Sequence, residues 1–345
     1  MPYNSTFRTA AQLTAEARAA AEILLGGFQL AAWLPSRENY GLSFDFDVNA
    51  LSLTDAATYR AFDTEAPFGS VPGTQSKSGK LPPISRKLRV TEFDTLSLMG
   101  QSDAIGNMFD TYARRLGGQI AARVALAQGQ GAETGTITIV ENKLNFTIDF
   151  GRAGGHSITV STPHSTITAD ALADLNTARA VFVATNGYPP AVAMLSTAIL
   201  SAYQKNTSII KAALGRGSDL PSIISIDAVR SVFDTYGFGR IVINDDQVRV
   251  GGAATRVVSA DKLLFLPEPN STAADLDGQG SLGTTEWGIP AEAINQKYGI
   301  ADSERPGIFA ADIDSDDPEG HNVLVSAIVL PTFTNANATL AVDVL

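Results

Sequence analysis

The residues best able to do chemistry are few. The chain has three histidines, His156, His164 and His321, and no cysteine. Thiolate nucleophiles, thiolate metal sites and disulfides are therefore excluded. No histidine has another four residues on, and His-Glu-x-x-His is absent, so zinc lacks its usual helical spacing. The three imidazoles are expected in turns or on the surface. A serine nucleophile would need a sharp Gly-x-Ser-x-Gly turn, and there is none. Gly215-Arg216-Gly217-Ser218 and Gly278-Gln279-Gly280-Ser281 are glycine-rich, but neither continues as a phosphate-binding loop. Val250-Gly251-Gly252 lacks the dinucleotide fingerprint. The expectation is no catalytic residue, no cofactor and no metal.

Two charged stretches stand out. Asp312-Ile313-Asp314-Ser315-Asp316-Asp317-Pro318-Glu319 begins like a calcium loop, with Asp at alternate positions. It then fails, because Asp317 sits where glycine is needed and Val323 where the bidentate Glu belongs. A solvated acidic turn is expected. The opposite charge gathers in Lys77, Lys80, Arg86, Lys87 and Arg89, five cations within thirteen residues of an acidic chain. No aromatic side chain interleaves them, which disfavours single-strand nucleic acid. Such a cluster is expected to find acidic surface on another copy of the chain, with Asp312, Asp314 and Asp316 as candidate partners.

These residues must be carried by a frame. Thr9 and Gln12 have capping-box spacing for a helix running to Leu25, stopped by Gly26-Gly27. Alternation in Phe44-Asp45-Phe46-Asp47-Val48 predicts an edge strand. Prolines 67, 72, 82 and 83 and glycines 69, 73 and 79 break the segment 54–92, which reads as a long two-stranded loop projecting from the body, its end at 84–90 an extended strand. Ile105, Phe109, Tyr112, Leu116 and Ile120 share one face of a predicted helix over 102–128, capped by Ser102 and ended by Gly129 and Gly131. At 1.5 Å per residue this helix is roughly 39 Å long. A meander of short strands is expected at 136–139, 145–150 and 157–160. Helices follow at 169–179, 197–213 and 226–236, with strands at 181–184 and 191–195 between them. Return strands are expected at 240–243, 247–250 and 262–266, a loop at 267–285, and final strands at 322–329 and 339–344. The order predicts an α+β chain with one inserted α/β region.

The 345 residues carry 25 basic and 36 acidic side chains, a net charge of −11. A broad nucleic-acid-binding surface is disfavoured by that balance. With 44% hydrophobic residues the chain can build a large core, and 18% charged residues are too few for a disordered protein. No run of about 18 apolar residues spans a membrane, and the N-terminus is no secretory signal.

Gly79-Lys80-Leu81-Pro82-Pro83-Ile84-Ser85-Arg86-Lys87 resembles a segment of the lambda-like major capsid protein E family of tailed bacteriophages. Phe62-Asp63-Thr64-Glu65-Ala66-Pro67-Phe68-Gly69 before it is similar to that family's extended stretch. So are the exit Ala125-Leu126-Ala127-Gln128-Gly129-Gln130-Gly131 and the closing Leu330-Pro331-Thr332-Phe333-Thr334-Asn335. The resemblance implies a Hong-Kong-97-type fold, with an N-terminal arm at 1–53 and an extended E-loop at 54–93. A peripheral domain would span 94–165 and 305–345, and an axial domain 166–304. It implies a non-enzymatic capsid protein that assembles in the host cytoplasm, through pentamers and hexamers, into an icosahedral virion shell around double-stranded DNA. A decoration protein, scaffold and portal are the implied partners. The chain starts at Met1 with a short arm, so an attached scaffold segment is not expected. Lys77 and Lys80 are placed where some members of the fold crosslink, but no matching asparagine and carboxylate are identifiable, so no crosslink is expected. Two alternatives are an encapsulin-like compartment and a monomeric hydrolase using Asp245 and Asp246.

Overall fold

In a computed structural model of the chain, the residues described are all except 1–6, 49–58, 66–74, 99–100, 216, 270–281 and 317–318. The chain opens with helix α1 (Ala10–Gly27), followed by β1 (Ser36–Glu38), β2 (Ser43–Val48), β3 (Gln75–Lys80) and β4 (Pro83–Val90). A short α2 (Glu92–Ser97) leads into α3 (Ser102–Thr134), then β5 (Thr136–Glu141), β6 (Leu144–Asp149) and β7 (Ser157–Thr159). The α/β region holds α4 (Ala171–Asn186), β8 (Val192–Leu195), α5 (Thr197–Lys205), α6 (Thr207–Leu214) and α7 (Ile226–Tyr236). It continues with β9 (Arg240–Ile243), β10 (Gln247–Val250), β11 (Ala253–Arg256) and β12 (Lys262–Leu266). The chain closes with β13 (Thr284–Gly288), β14 (Phe309–Asp316), β15 (Glu319–Thr332) and β16 (Leu340–Asp343).

The expected capping box is present: the Thr9 hydroxyl accepts from Gln12 N, and the Gln12 side chain accepts from Thr9 N. The α1 face of Leu13, Ala17, Ala21 and Leu25 is buried and packs along α3. The segment read as an arm thus carries a helix that belongs to the main core. In α3, Ile105, Phe109, Leu116 and Ile120 are buried as their spacing predicts, with Tyr112 half-buried at the edge. The helix does not stop at Gly129 and Gly131. It runs 33 residues, roughly 50 Å, to a left-handed Gly135. Those glycines serve packing instead. A Cβ at Gly129 would lie 1.8 Å from the Val257 carbonyl oxygen, and one at Gly131 2.1 Å from the Phe333 ring. A glycine inside a helix ends it only when nothing rewards continuing, and here close packing does. Ser102 is the first helical residue, and Gln101 precedes it as the cap.

Two sheets organise the molecule. In the first, β15 is the long central strand, paired antiparallel with β14 and β13 along one edge and with β4 along the other; β1 pairs with β13. The second has the order β7-β16-β12-β8-β9. Its central strands β12 and β8 are buried on both faces. Leu264, Leu266, Val192 and Met194 join the main core with α1 and α3, whereas Leu263, Phe265, Ala193 and Leu195 join a second core with α4 to α7. Alternation with period two sends neighbouring side chains to opposite cores, which explains why these strands read as continuous apolar runs.

Several expected elements differ. Residues 181–184 are not a strand but the last turns of α4, because Leu175, Ala178 and Phe182 continue one apolar face into the second core. The helix expected over 197–213 is two, divided at Asn206, whose side chain caps α6 by accepting from Ser208 N and Ile209 N. The meander is a β5–β6 hairpin, while β7 joins β16 in another sheet. Residues 84–90 are a strand as expected, but it does not project: β4 lies on β15 in register from Pro83↔Ile328 to Val90↔His321, with Leu88 and Val90 turned to the core. The acidic segment is likewise mostly strand β14. The hairpin of this region is β2–β3, running from Ser43↔Lys80 to Val48↔Gln75, with Phe44 and Phe46 of β2 buried in the main core.

Candidate assembly interface

The basic cluster is divided by this topology. Lys77 and Lys80 lie on β3, with Lys77 Nζ 3.9 Å from Asp149 Oδ2. Arg86, Lys87 and Arg89 lie exposed on β4, which is an edge strand among the described residues. Charge on a sheet edge has its own physical sense. A row of unpaired backbone groups invites strand addition, and long cations blunt it. Arg86 lines a cavity of about 650 Å³ with Gln119 and Arg123 of α3 and Glu141 of β5. Tyr59 and Phe62, on the connection between β2 and β3, are almost fully exposed aromatic side chains. Aromatic area of this kind is the usual anchor of a protein interface.

The acidic residues sit on the other side of β15. Asp314 is directly opposite His321 across the β14–β15 pair, and Asp312 is diagonal to it on the same face. His321 Nδ1 lies 2.9 Å from Asp312 Oδ2 and 3.3 Å from Asp314 Oδ1. Asp312 therefore faces inward, whereas Asp314 is more than half exposed. Asp316 ends β14, and its side chain lies outside the described residues.

The histidines are buried, contrary to expectation, because each is held by partners distant in sequence. His156 Nδ1 donates to the Thr339 carbonyl at 2.9 Å, and Nε2 accepts from the Thr185 hydroxyl at 2.9 Å. His164 Nε2 donates to Asp174 at 3.1 Å, and Nδ1 accepts from the Tyr203 hydroxyl at 3.3 Å. Burial lowers the pKa of both; for His164 the hydrogen bond and charge of Asp174 oppose the shift. Arg152 donates to the carbonyls of Ala132 and Glu133 at the end of α3 and to the Ser157 hydroxyl. Burial pushes its pKa down to about 10, against the pull of Glu133, so it stays charged at neutral pH. Asp245 and Asp246 are tied into structure. Asp245 takes hydrogen bonds from the Thr197 hydroxyl and amide and from Arg256, which hold it below the usual carboxylate range. Asp246 accepts from Gln29 N at 2.8 Å.

The whole architecture recurs in solved structures. A prophage capsid protein from Escherichia coli CFT073 superposes with a TM-score of 0.62 at 12% identity, over 98% of this chain and 99% of its own. A phage-related protein from Bordetella bronchiseptica RB50 gives 0.57 at 13% identity, over 98% of each chain. The fold is therefore the Hong-Kong-97-type fold of phage capsid proteins. No relative is found among curated protein sequences. The family model for phage major capsid protein E matches residues 52–344, and the chain belongs to that family. It is a shell-forming structural component of the phage virion, not an enzyme, and the hydrolase and storage-compartment readings are set aside.

Proposed function

We propose that this chain assembles in the host cytoplasm, through hexamers and pentamers, into a closed icosahedral shell enclosing phage double-stranded DNA. The family match over residues 52–344 carries this reading. A net charge of −11 suits a wall that surrounds DNA better than a surface that grips it. In this reading residues 1–53 are the N-terminal arm, anchored to the main core through α1, and 54–93 the E-loop, whose returning end β4 is anchored on β15. Residues 94–165 with 305–345 form the peripheral domain, and 166–304 the axial domain. A scaffold guides assembly, a portal occupies one vertex, and a decoration protein binds outside.

The contact between copies uses the basic side chains Lys77, Lys80, Arg86, Lys87 and Arg89 against acidic surface of a neighbour, with Asp314 and Asp316 on its acidic side. Asp312, turned toward His321, shapes that surface from within. Each pair contributes from nothing to several kcal/mol depending on desolvation, and repetition over many copies multiplies a weak contact. The test is the triple change Lys80→Glu, Arg86→Glu and Lys87→Glu, all exposed positions. Sedimentation should show subunits without shells, while far-UV circular dichroism stays that of the parent. Normal shells from the variant would refute the contact.

A further inference from the structure

Next to the proposed contact, and sharing Asp314 with it, one group of side chains has the chemistry of a ligand site. Asp312, Asp314 and His321 each offer a ligand atom, all within 4.8 Å of one another. The β14–β15 register puts them on one face of the hairpin, so the backbone ladder sets their spacing. The two distances from His321 Nδ1 to the carboxylate oxygens, 2.9 and 3.3 Å, fit ligand-to-ligand edges around a small cation. With metal–ligand bonds of about 2.0–2.1 Å, tetrahedral edges come to roughly 3.3 Å.

Hydrogen bonding alone serves this group poorly. An imidazole Nδ1 carries at most one proton, and here it faces two carboxylates. The Asp312 side chain is nine-tenths buried. Among the described residues no group donates to its Oδ1, although that atom is out of reach of solvent. Nor does any described lysine or arginine pair with Asp312 or Asp314, so His321 is their only partner in a described ion pair. Two carboxylates with a buried acceptor oxygen and no lysine or arginine in a described ion pair with them are short of positive charge. Phe7 and Phe109 stand edge-on to the imidazole at 5.4 and 5.6 Å between ring centres, which holds the ring in place. Asp314, more than half exposed, leaves an entry path and room for water as a fourth ligand.

We propose that Asp312, Asp314 and His321 bind one divalent transition-metal ion of the zinc class at the β14–β15 hairpin. The nitrogen ligand and the small ligand number argue against calcium and magnesium, which prefer six or more oxygens. The metal joins the two strands of the hairpin and braces His321 against α3 through Phe109. All three ligands come from one chain, so the site is testable on the unassembled subunit whether or not Asp314 also serves the contact between copies.

The test is zinc binding to the purified full-length chain, by calorimetry and by thermal unfolding. One zinc per chain should bind and raise the unfolding midpoint, with no comparable rise from calcium or magnesium at the same concentration. Asp314→Asn, at an exposed position, should leave the metal-free chain folded, by far-UV circular dichroism, and weaken zinc binding at least tenfold. Asp312→Asn should weaken it as much. Cobalt substituted for zinc should give the visible absorption of a low-coordinate site, lost in Asp314→Asn. Failure to bind zinc stoichiometrically would overturn the proposal, as would equal binding by Asp314→Asn. Calcium raising the midpoint as far as zinc would overturn the metal class.

Discussion

The contact between α1 and α3 makes a sharp claim about two adjacent glycines. A Cβ on Gly117 would lie 2.2 Å from the backbone oxygen of Ala17, about 1.2 Å short of ordinary contact. A Cβ on Gly118 would meet only Leu24 Cδ2, at 3.5 Å. Replacing either by alanine gains about 0.8–1 kcal/mol of helix propensity. At Gly118 that gain should appear largely intact. At Gly117 the obstacle is main chain, so α1 must move bodily from the helix it packs on. Overpacking of this kind costs about 1–3 kcal/mol, and a backbone obstacle belongs at the upper end. Gly117→Ala should therefore lose about 2 kcal/mol net, while Gly118→Ala should gain up to about 1. For a chain of this length each kcal/mol moves the unfolding midpoint by about 1–2 °C. The assay is thermal and urea unfolding of unassembled subunits of parent and both variants. Trimming Ala17 to glycine should not rescue Gly117→Ala, because the clash is with main chain. Similar shifts for the two glycine variants would refute the close helix contact.

Phe109 is fully buried against Phe7 and His321, and Phe109→Ala should destabilise the subunit by about 3–5 kcal/mol. An unchanged urea midpoint would show that this face of α3 is not core. His156 and His164 have pKa values lowered by burial in the folded state, so the unfolded chain takes up protons first as pH falls below about 6.5. Their contribution is intact above that pH and is lost as pH falls through the lowered folded values. Stability measured from pH 7.5 to 5 should therefore decline, and His164→Asn should flatten the decline. No crosslink constellation is identifiable beside Lys77 and Lys80, so mature particles boiled in detergent should release a single band near 36.2 kDa. A ladder of multiples would contradict this.

Where the sequence was legible, local chemistry dominated. The Thr9 capping box and the Ile105–Ile120 stripe are set by residues within a few turns, and both formed as read. Misreadings arose where distant partners decided. Gly129 and Gly131 looked like a stop because Val257 and Phe333, which pack on them, lie far along the chain. Val181–Ala184 is β-branched and apolar enough for a strand, yet the face begun at Leu175 keeps it helical. Residues 84–90 formed the extended strand their sequence suggests, but their place on the body, and not on a projecting loop, is set by pairing with the distant β15. Asp312 and Asp314 were noticed as acidic residues, but the third member of their group, His321, follows nine residues after Asp312 across a hairpin. No linear motif carries that spacing. The burial of His156 and His164 was likewise invisible, since Thr339, Thr185, Tyr203 and Asp174 assemble only in the fold.

The proposed function rests on shell closure by this chain, alone or with its assembly partners. Electron microscopy of the protein expressed alone and with scaffold, read beside light scattering, tests it most directly. Closed particles of uniform diameter are expected, with averaged images that resolve six-fold and five-fold clusters of this subunit. A monodisperse 36.2 kDa monomer under every condition, or open sheets that never close, would contradict it.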